Sequence, residues 1–507
     1  MTVSEEPKRG PGSKPQSRAR PRARGRAVVI GRDDLLGVIQ GFNPWWRGRA
    51  PQAPEFHRTP YIVCRKYLDD ESLRRAVLLS GPRRVGKTTI LQQVAKAMID
   101  EGRPARSVCY VSLDHPALVQ VPLSQVIELY HEAIFPEGEP AVLLLDEVQY
   151  SERWDLHLKQ LVDHRPEYRI LATGSASLEH RRRLTESGVG RWVTVPIPTL
   201  SFYEFLRLRG ADLSAVPADL RTDALFSLEA AELSLLGSRF RPLMPLFGRY
   251  LILGGFPEPA VRDDVEFGQR VLREDVIDGV LKRDITALYK FRNVADLEKL
   301  FVYLCVHSGG IFSVTNCANA LGATKPTVSN YLQGLREANL VYLLPPFKRT
   351  GKQALKAPPK VYLVDAALRN AVLLKGEEVL ADATQMGTIV ETTVLRHLLS
   401  RYHWDAPEIT YWRGARRGRE IDFVVKTPRY TVAVEVKYRS DAQVSSDAGL
   451  VDFCAENDVE RAFWVTQREQ DFGRSRLAEC ETEVLRVPAH ILVYLLGQDE
   501  RLQWGEG

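Results

Sequence analysis

The chain has 507 residues, 44% of them hydrophobic and 26% charged, with a formal net charge of +5. That length exceeds a single core and predicts roughly three or four domains. No apolar run approaches the ~18 residues of a membrane-spanning helix, no apolar leader opens the chain, and the six cysteines are scattered without a C-x-x-C pair, which argues against zinc and disulfide frameworks and fits a reducing cytoplasm.

The charge is unevenly spread. Residues 1–26 hold eight basic and two acidic side chains, a surplus of six, which leaves the rest of the chain at −1. This Pro/Gly/Arg-rich stretch has almost no apolar residues, so residues 1–30 are expected to be a disordered basic tail. Such a tail can tether nucleic acid through counterion release, or simply stay solvated. Asp33–Gln40 starts a short helix. Trp45 and Trp46 follow a Gly-Phe-Asn-Pro turn and are expected to pack on the next domain.

Ala76–Ser80 is a short apolar run that reads as a buried strand. It leads into Gly81-Pro82-Arg83-Arg84-Val85-Gly86-Lys87-Thr88, a complete G-x-x-x-x-G-K-[ST] phosphate loop. Its glycines let backbone N–H groups turn toward phosphate oxygens, Lys87 reaches the β- and γ-phosphates, and the Thr88 hydroxyl suits Mg²⁺. Thr89 opens a stretch of helical apolar spacing, so a helix N-terminus faces the same phosphates. The pattern predicts ATP and Mg²⁺ as ligands.

Further strands are expected at Val108–Leu113, Ala141–Asp146 and Tyr168–Thr173. Continuous apolar strands alternating with helices predict a parallel sheet covered on both faces, with its ligand at the carboxyl ends of the strands. Asp146 and Glu147 end an apolar strand in a Walker B pattern. Asp146 is expected in the Mg²⁺ shell, Glu147 orients the attacking water, and Thr173 at the next strand end senses the γ-phosphate. Arg191 is the first choice for an arginine finger, ahead of Arg249 and Arg283.

From about residue 200 the strand signal gives way to helices, read as a lid over the nucleotide domain. The phosphate loop, the Leu-Leu-Leu-Asp-Glu strand, Thr173-Gly-Ser, Pro198-Thr-Leu-Ser-Phe-Tyr-Glu-Phe205, Gly254-Gly-Phe-Pro-Glu258 and Lys282-Arg-Asp284 occur in that order. In this combination the chain, from about 40 to 480, resembles the prokaryotic AAA-type ATPases that carry a C-terminal domain of unknown function related to PD-(D/E)XK nucleases. The resemblance implies ATP use and this architecture. It also implies a homo-oligomer, a hexamer or another ring, in which an arginine comes from a neighbouring subunit or the lid.

Ala318, Leu321, Val328, Leu332 and Leu335 have helix-turn-helix spacing around Gly322. The second helix presents Lys325, Thr327, Ser329 and Asn330, side chains that bond phosphates or base edges. Lys348, Arg349, Lys352, Lys356 and Lys360 are read as a basic wing. DNA contact is expected here, although winged helices in ATPases also serve as packing or subunit contacts.

Near the C-terminus, Arg419–Val425 and Thr431–Lys437 alternate like two strands of a hairpin. They carry Asp422, Glu435 and Lys437 in the D-x(12)-E-x-K pattern of the nuclease-like superfamily. Hydrolysis of a phosphodiester needs carboxylates that hold Mg²⁺ and a base that places water. Asp422 and Glu435 are expected metal ligands, with Glu391 from an upstream helix completing the set and Lys437 positioning the nucleophile.

The expected fold is therefore α/β: a P-loop AAA-type parallel sheet at 31–200, a helical lid at 201–290, a winged-helix module at 291–360, a linker at 361–384 and a restriction-endonuclease-like domain at 385–507. The expected function is ATP hydrolysis that drives or gates DNA remodelling or Mg²⁺-dependent cleavage. The alternative is an ATP-dependent regulatory switch that works through a protein partner, its nuclease-like domain inactive. No membrane is expected, and a cytoplasmic location is.

Overall fold

A computed structural model describes residue 2 and residues 31–119, 121–174, 190–285, 293–347, 357–414, 418–439, 448–457, 459–477 and 481–505, with backbone alone at 283, 284 and 448. The basic tail from residue 3, Ser175, the Arg283 side chain and the wing residues Lys348, Arg349, Lys352 and Lys356 lie outside the described residues.

Helix α1 (Arg32–Phe42) leads to the tryptophan pair. Trp45 and Trp46 pack as expected: both indole N–H groups donate to the Val108 carbonyl at 2.9 Å, and Trp46 stacks on Tyr130. Helix α2 (Thr59–Asp69) precedes strand β1 (Ala76–Ser80) and helix α3 (Lys87–Asp100). Then come β2 (Val108–Ser112), α4 (Leu123–Ala133), β3 (Ala141–Asp146), α5 (Trp154–His164), β4 (Tyr168–Gly174) and β5 (Trp192–Pro196). The five strands form one parallel sheet in the order β2-β3-β4-β1-β5. Every residue of β1 and β3 is buried, as expected for central strands covered on both faces.

Helices α6 (Phe202–Leu208), α7 (Ala230–Phe240) and α8 (Met244–Leu253) follow. Next are α9 (Val294–Val306), α10 (Val314–Leu321) and α11 (Lys325–Glu337). Gly322, at φ +63°, ends α10 in the left-handed region, and the Thr324 hydroxyl caps α11. Strands β6 (Val341–Leu344) and β7 (Lys360–Leu363) pair antiparallel and lead to α12 (Ala366–Val372). A helix–glycine–helix unit followed by a two-stranded sheet thus lies where the winged-helix module is expected.

The last region opens with α13 (Ala383–Arg401). A six-stranded mixed sheet follows, built from β8 (Glu408–Arg413), β9 (Glu420–Lys426), β10 (Thr431–Val436), β11 (Arg461–Thr466), β12 (Gly473–Arg476) and β13 (Glu483–Pro488), in the order β12-β13-β11-β10-β9-β8. Helix α14 (Ala448–Asn457) covers one face, and helix α15 (Ala489–Leu502) ends the region.

Two expected boundaries shift. Residues 201–290 are not one lid: buried side chains from Leu200 to Ile252 share a core with α13, α15 and the C-terminal sheet, whereas Leu272–Ile285 join the core of the nucleotide sheet. The cause is the aromatic face of α6, whose Phe202, Tyr203 and Phe205 find their partners on α8 and α15. Residues 361–384 are likewise no linker. The apolar run Val361-Tyr-Leu-Val364 pairs with β6, Val341 opposite Leu363, and its side chains are almost fully buried.

Candidate nucleotide site and C-terminal carboxylate cluster

The phosphate loop joins the carboxyl end of β1 to α3. Gly81 has no room for a side chain, since a Cβ there would lie 2.1 Å from the Ile197 carbonyl oxygen. Gly86 holds φ +97°, a conformation glycine adopts without strain. Lys87 is buried, and its ammonium donates to the loop's own carbonyls at Gly81 (3.1 Å) and Pro82 (3.0 Å). The Thr88 hydroxyl donates to Asp146 Oδ2 at 2.7 Å.

Asp146 is the hub. Thr173 donates from its hydroxyl to Oδ1, and Tyr110, which the sequence reading missed, donates to Oδ2 at 3.0 Å. Burial pushes the Asp146 carboxyl above its usual range against these hydrogen bonds. Glu147 follows in left-handed backbone at φ 53°, its N–H on the Thr173 hydroxyl at 3.0 Å and its carboxylate taking the Gln149 amide. Lys87, Thr88, Asp146, Glu147 and Thr173 therefore converge at the carboxyl ends of β1, β3 and β4. A hydroxyl and a carboxylate in contact are the hard oxygen donors that suit Mg²⁺ beside nucleotide phosphates, so the residues fit the expected ion.

Arg83, Arg84, Val85 and Thr89 take up the remaining contacts of the loop. Arg84 lies 3.2 Å from Asp275 and 3.8 Å from Glu258, and the Arg83 stem packs against Gly279. Thr89 lies in the first turn of α3. The Val85 carbonyl accepts from Arg58 Nη1 at 2.9 Å, and Arg58 pairs in turn with Glu204. Glu204 closes a capping box with Ser201 at the start of α6. Burial raises its carboxyl, but Arg58 and then Arg396 outweigh that and hold it below the ordinary range. Arg396 donates to the Thr199 carbonyl, and His397 Nε2 accepts from the Phe202 N–H at 2.9 Å. A buried chain of polar contacts thus runs from the phosphate loop to α13.

The arginine assignments change. Arg191 precedes β5, whose first residue is level with Ala76 at the start of β1. It therefore sits at the opposite end of the sheet from the loop, paired with Asp163 at 2.9 Å. Arg249 donates to the backbone carbonyls of Arg262 and Asp263.

The second constellation lies in the C-terminal sheet. Asp422 on β9 and Glu435 on β10 are neighbours: the Asp422 N–H donates to Glu435 Oε2 at 3.2 Å, and Asp422 Oδ2 accepts from the Val436 N–H at 3.0 Å. Lys437 donates to Glu435 Oε1. Glu391 on α13 accepts from the Tyr362 hydroxyl at 3.4 Å. Burial, then the nearby Asp422 charge, pushes the Glu391 carboxyl up to about 8.

The cation among these carboxylates is Lys360, which the sequence reading placed on an exposed wing. It is 3% exposed, and its ammonium lies 2.5 Å from Glu420 and 3.3 Å from Asp422. Burial alone would lower its pKa, but Asp422, Glu420 and Glu391 together drive it above the usual lysine value. The signal was present: in Lys360-Val-Tyr362 the strand period of two puts Lys360 on one face with buried Tyr362. Among the described residues no three of His, Cys, Asp and Glu form a group that could hold a metal ion. Asp422 and Glu435 are hydrogen-bonded neighbours, Glu391 lies near enough to feel the Asp422 charge, and Lys360 is the cation beside Asp422.

Residues 73–206 match the model of an AAA domain, residues 244–378 a domain of unknown function (DUF8612), and residues 386–488 another (DUF4143). Residues 73–206 thus carry an AAA-type P-loop ATPase fold. Similar proteins include an uncharacterized protein of Methanocaldococcus jannaschii, 26% identical over 66% of this chain and 69% of that protein. An uncharacterized protein of Haemophilus influenzae is 24% identical over 71% of this chain and 82% of its own length. Among solved structures, AMPPCP-bound DnaA from Aquifex aeolicus gives a TM-score of 0.25 at 18% identity, over 56% of this chain and 89% of that one. An S. cerevisiae Hsp104:casein complex gives 0.29 at 15%, over 66% and 58%. No helix among the described residues is long and apolar enough to cross a membrane.

Proposed function

We propose that the chain is a Mg²⁺-dependent ATP hydrolase that acts on DNA, its nucleotide state driving or gating remodelling. The observation that carries the hydrolase half is the convergence of Thr88, Asp146, Glu147 and Thr173 beside the phosphate loop. Thr88 and Asp146 would hold Mg²⁺, which supplies charge neutralisation on the phosphates. Lys87 leaves its loop carbonyls for the β- and γ-phosphates, Glu147 orients water, and Thr173 fixes both Asp146 and the Glu147 backbone. Arg191 and Arg249 are committed elsewhere. As the family resemblance implies, the transition-state arginine is taken from a second copy of this chain or from the lid, where Arg283 is the remaining candidate, and a homo-oligomer is part of the proposal.

The DNA half rests on helix α11, where Lys325, Ser329 and Asn330 are exposed while Val328, Tyr331, Leu332 and Leu335 are buried. Its test is DNA binding followed by fluorescence anisotropy across a salt series, with residues 1–30 deleted. Binding that persists and weakens on Lys325→Ala supports a site in the body of the protein. Binding that disappears with the tail removes it.

A second reading is favoured by one observation. Lys360 already neutralises the C-terminal carboxylates, which suits a nuclease-like domain that does not cleave and an ATP-dependent switch read by a protein partner. The two readings separate on Mg²⁺-dependent cleavage of branched, single-stranded and duplex DNA. Cleavage by wild type that Glu435→Ala abolishes restores the nuclease.

A further inference from the structure

Most carboxylate oxygens of the C-terminal cluster already have partners within the chain. Asp422 Oδ1 faces the Lys360 ammonium and Oδ2 takes the Val436 N–H. Glu435 Oε1 takes Lys437 and Oε2 takes the Asp422 N–H. Glu420 Oε1 is the nearest acceptor of Lys360, at 2.5 Å, and Glu391 Oε2 takes the Tyr362 hydroxyl. Above the ammonium lies the Tyr411 ring, its centroid 5.6 Å away.

Lys360 does not belong to the nuclease-like sheet. It is the first residue of β7, which pairs with β6 and bridges to Ile311. Next to it, Tyr362 is fully buried in the core shared with the C-terminal sheet, and the Tyr411 hydroxyl donates to the Pro358 carbonyl at 2.7 Å. A buried ammonium is tolerated only where carboxylates surround it, and a buried carboxylate cluster only where a cation does. Mg²⁺ would need near-octahedral oxygens, and here it would meet a like charge and oxygens already bonded.

We propose that Lys360 is the resident cation of this cluster, so that Asp422 and Glu420 form a socket that docks strand β7 in place of a divalent ion. The inference uses the nuclease-like reading only to say which positions would otherwise hold metal. The middle module is thereby fastened to the C-terminal sheet by the groups that a nuclease would use for catalysis.

The test is a nucleotide-free Mn²⁺ titration followed by electron paramagnetic resonance, on full-length protein carrying Asp146→Asn to silence the ATP site. This background is expected to bind no Mn²⁺ that depends on Asp422. Adding Lys360→Met is expected to create one Mn²⁺ site that is lost again when Asp422→Asn is added. A Mn²⁺ ion bound by the background and removed by Asp422→Asn overturns the proposal, as does a folded Lys360→Met variant that gains no site. If Lys360→Met fails to fold, the background titration decides alone. DNA binding is read separately by anisotropy, so failure here leaves the DNA reading intact.

Discussion

Arg58 and Glu204 form a bidentate ion pair between the phosphate loop and the first helix that packs on the C-terminal region: Nη2 to Oε2 is 2.8 Å and Nε to Oε1 is 3.2 Å. Both side chains are almost fully buried, 6% and 3% exposed. Nη1 donates to the Val85 carbonyl and Nη2 also donates to the Pro198 carbonyl, at 2.9 Å each. The pair thus ties the phosphate loop, through the Val85 carbonyl, to α6, and through α6 to α13 and α15.

Removal of one partner leaves the other as an uncompensated buried charge. Arg58→Ala and Glu204→Ala are each expected to cost about 3–5 kcal/mol, read by denaturant unfolding. The double variant is expected to cost clearly less than the sum, because the two groups act as a pair. Simple additivity would mean that the pair is not a unit.

Two glycines, one in the phosphate loop and one in α1, differ in what a methyl group would meet. Gly81→Ala pushes a Cβ into the Ile197 backbone, so it is expected to cost about 1–3 kcal/mol or more and to abolish nucleotide binding. Gly37 has open space around it inside α1, so Gly37→Ala is expected to stabilise by about 0.5–1 kcal/mol. Thermal melts with and without nucleotide check both. Normal ATP affinity in Gly81→Ala would show that the loop does not pack against Ile197.

Glu391 gives a pH dependence with a definite sign. Its carboxyl is raised from 4.5 to about 8 in the folded chain, so between those values the folded state holds a proton that the unfolded state has lost. Its contribution is complete below about pH 4.5 and is lost as pH rises toward 8. Glu391→Gln, which stays neutral, is therefore expected to gain stability relative to wild type steadily from pH 5 to pH 8. A difference that is flat over this window would show that Glu391 is already ionised at pH 5.

If α11 faces DNA, Lys325→Ala in the tail-deleted protein lowers the slope of log K against log salt by about 0.9 per lost phosphate contact. An unchanged slope would place the contact elsewhere.

The nucleotide site was legible in the sequence because its chemistry is local. Eight consecutive residues build the loop, and an apolar strand ending in Asp146-Glu147 puts the second half on the same sheet edge. What was not legible depends on contacts distant in sequence. Tyr110 reaches Asp146 only because β2 lies beside β3. Lys360 looked like one more basic wing residue, yet its partners are Glu420 and Asp422, about sixty residues on. Helix α6 was read as lid because it follows the nucleotide sheet, whereas its aromatic face belongs to a helix at the end of the chain. Arg191 was favoured by its neighbours in sequence, but strand direction places it at the far end of the sheet.

The central claim is that the site around Asp146 and Glu147 hydrolyses ATP. Its most direct test is steady-state phosphate release with Mg²⁺ and ATP, compared between wild type and Glu147→Gln, with nucleotide binding measured in parallel. The expected result is turnover by wild type that falls by about 10²–10⁴-fold in the variant while ATP binding is retained. Wild-type protein that binds ATP without releasing phosphate, or a Glu147→Gln variant that turns over at the wild-type rate, would contradict it.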